Sequence, residues 1–168
     1  FFSFRHAHTL CHALPDSLLP KLIMPTFKLL LSADLENVEK LYVTDDVRYF
    51  VKFECNNCHE QTDWVYVSPE EEVEVTRSTV NFQLKCKMCG RAHTADILKG
   101  SQKEYLSQHS GSPHPLVSLD CRGIEPVAFE MRAGMIAEAV ESGKTFEVAF
   151  NEGDDFCEFD DETNQVVA

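Results

Sequence analysis

The stretch Val47-Arg48-Tyr49-Phe50-Val51-Lys52-Phe53-Glu54-Cys55-Asn56-Asn57-Cys58 decides how the chain folds. Its first eight residues alternate rings and aliphatics with polar groups, the period-two pattern of a half-buried strand. That strand runs straight into two cysteines separated by two residues. The same arrangement recurs downstream, where Thr79 to Lys85 alternates and delivers Cys86-Lys87-Met88-Cys89. Two strands, each ending in a CxxC pair, predict an all-β domain: a compact β-sandwich or barrel-like body. In it, two zinc-knuckle hairpins bring Cys55, Cys58, Cys86 and Cys89 to one four-Cys zinc site.

Working outward, Phe27 to Leu35, Trp64 to Val67, Leu116 to Cys121, Val127 to Met131 and Thr145 to Phe150 are further expected strands. Ser107 to Pro115, rich in Ser, Pro and His, is expected as an exposed loop. Met131, Met135, Ile136, Ala139 and Val140 stand at helix-like spacing with Gly143 placed as a C-cap, whereas Gly134 opposes a helix. Short helix and strand are both open for this segment. The tail from Glu138 to Ala168 is strongly acidic and is read as a solvated edge plus a frayed terminus. Within it, Asn151-Glu152-Gly153-Asp154-Asp155 lacks the alternating oxygen ligands of a calcium loop.

The chemistry of the cysteines supports metal. Tetrahedral zinc with Zn–S near ~2.3 Å sets sulfurs about 3.8 Å apart, a separation that two residues folded as a tight knuckle provide. Gly90 follows the second pair, where the turn requires a residue tolerant of positive φ, and Asn56, Asn57 and His59 are turn-compatible around the first. The residues from His59 to Lys85 exceed the roughly 15–20-residue spacer of a zinc ribbon. An insertion is therefore expected, over Ser68 to Arg77. Lys52, Lys85, Lys87 and Arg91 flank the knuckles and are expected to offset the negative charge of four thiolates.

Other uses of the cysteines fit the sequence less well. A redox CxxC favours a helix N-terminus in a βαβ setting, and neither pair is followed by a convincing helical pattern. A catalytic zinc needs three protein ligands and an open position; His59-Glu60 does not follow the deaminase order H-x-E…P-C-x-x-C. His93 stands near the second knuckle and is read as a surface histidine, or as a substitute ligand. Cys121 is expected as a small buried hydrophobe, and Cys11 and Cys157 have no motif partner.

With 28 acidic and 15 basic residues in 168, the chain carries a formal net charge of −13. Such a chain repels phosphate backbones and anionic membrane surfaces unless it concentrates base on one face. Nucleic acid and membrane are thus not expected partners. No run reaches the roughly 18 apolar residues of a spanning helix. Residues 1–23, with Arg5 and Lys21 against the single acid Asp16, differ from the remainder. They are read as an extension outside the fold, a leader or a gene-model artefact. Residues 24–168 are read as a single zinc-binding β domain with an acidic C-terminal tail. No secretory signal pattern stands at the start, so a reducing, cytoplasmic setting and a monomer are expected.

The string Leu119-Asp120-Cys121-Arg122-Gly123-Ile124-Glu125-Pro126-Val127, taken with the two CxxC pairs upstream, resembles the eukaryotic CXXC-motif-containing zinc-binding protein family. The order agrees from Met24 to Glu162. The resemblance implies a compact all-β fold, one Zn2+ per chain on the four cysteines, and a non-enzymatic role as an interaction or metal-homeostasis adaptor. It also implies a protein partner, a copper-chaperone heavy-metal domain being the candidate. The alternative is a CxxC thiol oxidoreductase or zinc-dependent hydrolase. Phe156-Cys157-Glu158-Phe159-Asp160 departs from the family's Trp-x-Asp-Tyr-Asp-like motif, and the family's further β segment is not expected after Ala168. In the Arg122-to-Pro126 turn, Gly123 is expected to supply the bend, and Arg122 and Glu125 to pair across it.

Overall fold

The structure, a computed structural model, describes residues 26–76, 78–149 and 156–168. The 1–23 extension, Cys11 and the Asn151-to-Asp155 stretch lie outside the described residues. Among those described the chain is all β. β1 (Thr26–Leu31), β2 (Val38–Val43), β3 (Tyr49–Cys55), β4 (Val65–Val67), β5 (Val73–Val75) and β6 (Ser78–Val80) come first. β7 (Phe82–Lys85), β8 (Ala92–Ile97), β9 (Tyr105–Leu106), β10 (His114–Arg122) and β11 (Ile124–Glu130) follow. The chain then makes β12 (Met135–Ala139), β13 (Thr145–Val148), β14 (Glu158–Asp160) and β15 (Gln165–Val167). No helix among the described residues is long and apolar enough to cross a membrane.

Three main sheets form, ordered β1-β10-β8-β7, β11-β3-β4 and β13-β12-β2-β9, with β14-β15 and β5-β6 as separate hairpins. The sheets stay open, so the layered rather than the barrel description applies. Alternation in sequence becomes alternation in burial: Tyr49, Val51, Phe53 and Cys55 of β3 point inward, with Phe50, Lys52 and Glu54 between them less buried. In the first sheet, Phe27 faces Leu119 and Leu29 faces Val117 across β1 and β10, while Cys121 faces Ala95 across β10 and β8. All six are core residues, and a one-residue slip would turn each of them to solvent. Cys121 is thus the buried hydrophobe its strand context implied.

Several elements differ from expectation for local reasons. The expected strand Thr79 to Lys85 breaks at Asn81, whose amide donates to Asp96 Oδ1 at 3.1 Å while its Oδ1 accepts from the Ile97 amide at 2.9 Å. Its Nδ2 also donates to the Glu71 carbonyl at 2.9 Å, so Asn81 clips the base of the β5-β6 hairpin. That hairpin is the insertion expected between the knuckles. The ambiguous segment after Met131 is strand β12, paired on both sides by β13 and β2, with Met135, Ala137 and Ala139 buried.

The connection from Ser107 to Pro115 is less loose than its composition implied. The buried Tyr105 hydroxyl lies 3.0 Å from both the Ala33 and Ser112 carbonyls and 2.5 Å from that of His109, and it accepts from the Ala33 amide at 3.2 Å. The C-terminal residues are not the frayed terminus expected: the β14-β15 hairpin turns on Asp160, Val167 is buried, and Glu36 and Ala168 exchange two backbone hydrogen bonds.

Candidate metal centre

Both knuckles are built the same way. In the first, the Cys55 amide donates to the Glu60 carbonyl at 2.9 Å and the His59 amide donates back to the Cys55 carbonyl at 2.8 Å. In the second, the Cys86 amide donates to Arg91 at 2.9 Å and the Gly90 amide to Cys86 at 3.0 Å. Closing each turn requires a left-handed residue at the fifth position, and His59 and Gly90 take it with φ of 62° and 70°. The first knuckle caps β3; the second joins β7 to β8. The two therefore belong to different sheets. Phe53 of β3 and Phe82 of β7 stack at 5.7 Å between ring centroids, an apolar contact between the two strands that lead into the knuckles.

The four sulfurs lie within 4.8 Å of one another. Cys55 and Cys89 are 3.7 Å apart and Cys58 and Cys86 3.5 Å, close to the about 3.8 Å edge of a zinc–thiolate tetrahedron. Backbone amides point at the sulfurs. The Asn57 amide is the main cause that lowers the Cys55 thiol below its ordinary range, and the Arg91 amide does the same for Cys89. At Cys58 the Glu60 amide also pulls downward, yet burial and the sulfurs of Cys86, Cys55 and Cys89 outweigh it and push this thiol up to about 12. Like charges this close resist ionising together. A dication at their centre removes that conflict, so the donor set fits zinc.

The flanking cations contribute less than expected. Lys52 sits over the Trp64 ring at 5.0 Å, and Lys87 pairs with Asp63 at 3.5 Å. Backbone N–H groups, rather than lysine side chains, are the donors aimed at the sulfurs.

His93 is not the surface residue its surroundings in sequence implied. It is 5% exposed and its Nε2 lies 3.3 Å from Cys55 Sγ. In the Nε2–H tautomer the ring donates to the sulfur. Burial first, then the charge of Arg91, holds this imidazole below its usual range and therefore neutral at physiological pH. The space for the ring is made by Gly123: a Cβ there would stand 2.3 Å from His93 Nδ1. With φ of +78°, Gly123 also occupies a conformation that suits glycine. Its carbonyl accepts from the Asn56 amide at 3.0 Å, so the same residue braces the first knuckle and seats the His93 ring of β8 against it. Arg122 does not pair with Glu125; it lies 3.8 Å from Asp120.

The family described as CXXC motif containing zinc binding protein, eukaryotic, matches residues 28–168. The chain belongs to it. UPF0587 protein CG4646 of Drosophila melanogaster is 38% identical over 142 residues, covering 82% of this chain and 87% of the relative. The CXXC motif containing zinc binding protein of Homo sapiens is 34% identical over 148 residues, covering 86% and 92%. Among solved structures, the one described as C1orf123 superposes with a TM-score of 0.79 at 33% identity, covering 84% of this chain and 92% of that one. A hypothetical protein from Plasmodium falciparum shares the fold, with a TM-score of 0.71 at 23% identity over 81% and 88% of the two chains. The chain is thus a member of a zinc-binding family and carries a four-cysteine cluster.

Proposed function

We propose that Cys55, Cys58, Cys86 and Cys89 hold one Zn2+ per chain in a closed, structural site. In this reading the protein is a non-enzymatic, monomeric interaction or metal-homeostasis adaptor of the cytoplasm. The observation that carries the proposal is the convergence of the four sulfurs within 4.8 Å, none of Cys55, Cys58, Cys86 and Cys89 being in a disulfide. Four thiolates fill a tetrahedral shell and leave no position for a water or substrate. Bound there, zinc supplies cross-linking between the two knuckles. The chain's own groups do the rest: amides and His93 orient the sulfurs, and the Phe53–Phe82 stack joins the two strands that lead into the knuckles.

Structural zinc binding is worth roughly 10–16 kcal/mol in small peptides, against about 5–15 kcal/mol for a whole domain's stability. Loss of the metal should therefore unfold at least the two knuckle hairpins. Elemental analysis of the purified protein together with a Cys86→Ser variant tests this. About one zinc per chain in the wild type, lost in a variant that melts well below it, is the expected result. A wild type without zinc, and a variant melting at the same temperature, would end the proposal. The adaptor role rests on the family resemblance and on the absence of an open coordination position in a four-thiolate site. A pull-down with copper-chaperone heavy-metal domains tests it, and no enrichment over an unrelated acidic protein counts against it. A reversible dithiol–disulfide couple at the two motifs would favour an oxidoreductase instead.

A further inference from the structure

Away from the cysteines, a groove of about 490 Å3 opens between β1, the connection after β8, and β10. Three of its nine lining residues are lysines, Lys28, Lys99 and Lys103, and none is acidic. With 15 Lys and Arg against 28 Asp and Glu in 168 residues, nine positions would on average hold fewer than one base and more than one acid. Elsewhere Lys40, Lys87, Arg122, Arg132 and Lys144 each have a carboxylate partner, Arg48 and Lys52 lie over aromatic rings, and Lys85 and Arg91 have no ion pair among the described residues. Among the described residues, Lys28, Lys99 and Lys103 have no such ion pair.

The groove is built on braced backbone. The Ser101 amide closes a turn on the Leu98 carbonyl at 3.0 Å, and the Leu98 amide donates to the Ser118 carbonyl at 3.0 Å. The Ser118 amide donates to Ser101 Oγ at 3.0 Å, and the Lys103 amide to the Leu116 carbonyl at 2.8 Å. Lys28 stands opposite Ser118 in the β1-β10 register, so its stem rises from the same floor. His114 closes one end with its ring stacked on His109 at 3.7 Å between centroids. Burial, then the charges of His109 and Lys103, hold His114 below the usual imidazole range.

We infer that this groove is a binding site for a small phosphate-bearing anion. Lys28, Lys99 and Lys103 line one concavity with no acidic residue among its nine lining positions, so a multiply charged anion is the ligand whose charge the lining complements. Lysine binds phosphate as a point charge, without demanding the planar fork of a carboxylate–arginine pair. The volume falls within the roughly 300–1,000 Å3 of small-molecule sites, and Leu98 and Pro115 add apolar surface for an organic portion. The overall charge of −13 does not forbid this, because at physiological salt distant charges are screened beyond about 8 Å.

The test titrates 15N-labelled, zinc-loaded protein with inorganic phosphate and with phenyl phosphate at constant ionic strength, following the amides of Gly100 and Ser101. Both probes should give saturable shifts. Affinity should fall about tenfold in Lys99→Gln/Lys103→Gln and in Lys28→Gln/Lys103→Gln, and stay unchanged in Lys52→Gln. Tighter binding of phenyl phosphate assigns the site to organic phosphates; equal affinity assigns it to the inorganic ion. Shifts that never saturate, or affinity undiminished in both double variants, would overturn the inference. So would saturation by an oligoglutamate peptide but by neither phosphate.

Discussion

Replacing Gly123 by alanine tests how the two knuckles are tied together. The backbone there has φ of +78°, which costs an alanine about 1–2 kcal/mol. The new Cβ would also meet His93 Nδ1 at 2.3 Å and Cε1 at 2.9 Å, so the ring must withdraw by about 1 Å to reach ordinary van der Waals contact. It has little room to do so, because its Nε2 already touches Cys55 Sγ at 3.3 Å. Tilting aside breaks that hydrogen bond, a further ~1–2 kcal/mol. The total of about 3 kcal/mol should lower Tm by about 10 °C for a domain of this size. Zinc affinity should fall about 10–100-fold, the usual effect of removing a partner of a metal ligand. Thermal unfolding and chelator competition measure both. The decisive arm is a double-mutant cycle: in a His93→Ala background, where no ring is struck, Gly123→Ala should cost only the backbone share and leave zinc affinity where His93→Ala put it. Equal costs in the two backgrounds would refute the reasoning.

Three other outcomes follow from the same geometry. Gly90→Ala should destabilise by about 1 kcal/mol through φ alone, whereas His59→Gly should change Tm little, relief at φ 62° offsetting the lost Glu54 contact; denaturant unfolding compares them. Phe53→Ala removes a fully buried ring from the strand that leads into the first knuckle and should cost about 3–5 kcal/mol, with zinc released at a lower temperature during a chelator-monitored melt. The Ser142 hydroxyl foremost, with the Glu162 amide and Thr163 hydroxyl, holds the Asp160 carboxyl below the usual carboxylate range. A depressed value contributes stability that is present above the unfolded value of about 3.9 and is lost as pH falls through the folded one. Melting of wild type and Asp160→Asn across this acid range should converge as pH drops; curves that stay parallel would exclude Asp160 as the cause.

How far sequence could lead depended on whether a feature was local. CxxC spacing announces a tight knuckle locally, so the clustering of the four cysteines and the turn at Gly90 were legible one residue at a time. Strands such as β3 and β10 were legible because one face is buried and the other is not. β8 was missed although it sits between β10 and β7: its own run, Ala92 to Ile97, mixes small and polar residues and becomes strand through its neighbours. The segment from Met135 stayed ambiguous because its apolar spacing suits a helix; pairing with β2 and β13 decided the matter. His93 was misread for a similar reason. The cysteine near it in sequence is Cys89, whereas its sulfur partner is Cys55 of the other knuckle, thirty-eight positions earlier. The better signal was Gly123, a glycine in a strand–strand connection, which marks a close approach by something.

The knuckles lie on different sheets, so a bound ion acts as a rivet across a chain segment running from residue 59 to residue 85. Treated as a cross-link, a loop of that size removes about 3 kcal/mol of entropy from the unfolded ensemble. The penalty grows only with the logarithm of length, about 0.6 kcal/mol per doubling. Asn81 already clips the base of the β5-β6 hairpin, so its tip can lengthen or shorten while the rivet keeps its hold. That hairpin is therefore where a longer loop or a grafted segment should be accommodated at least expense to the fold.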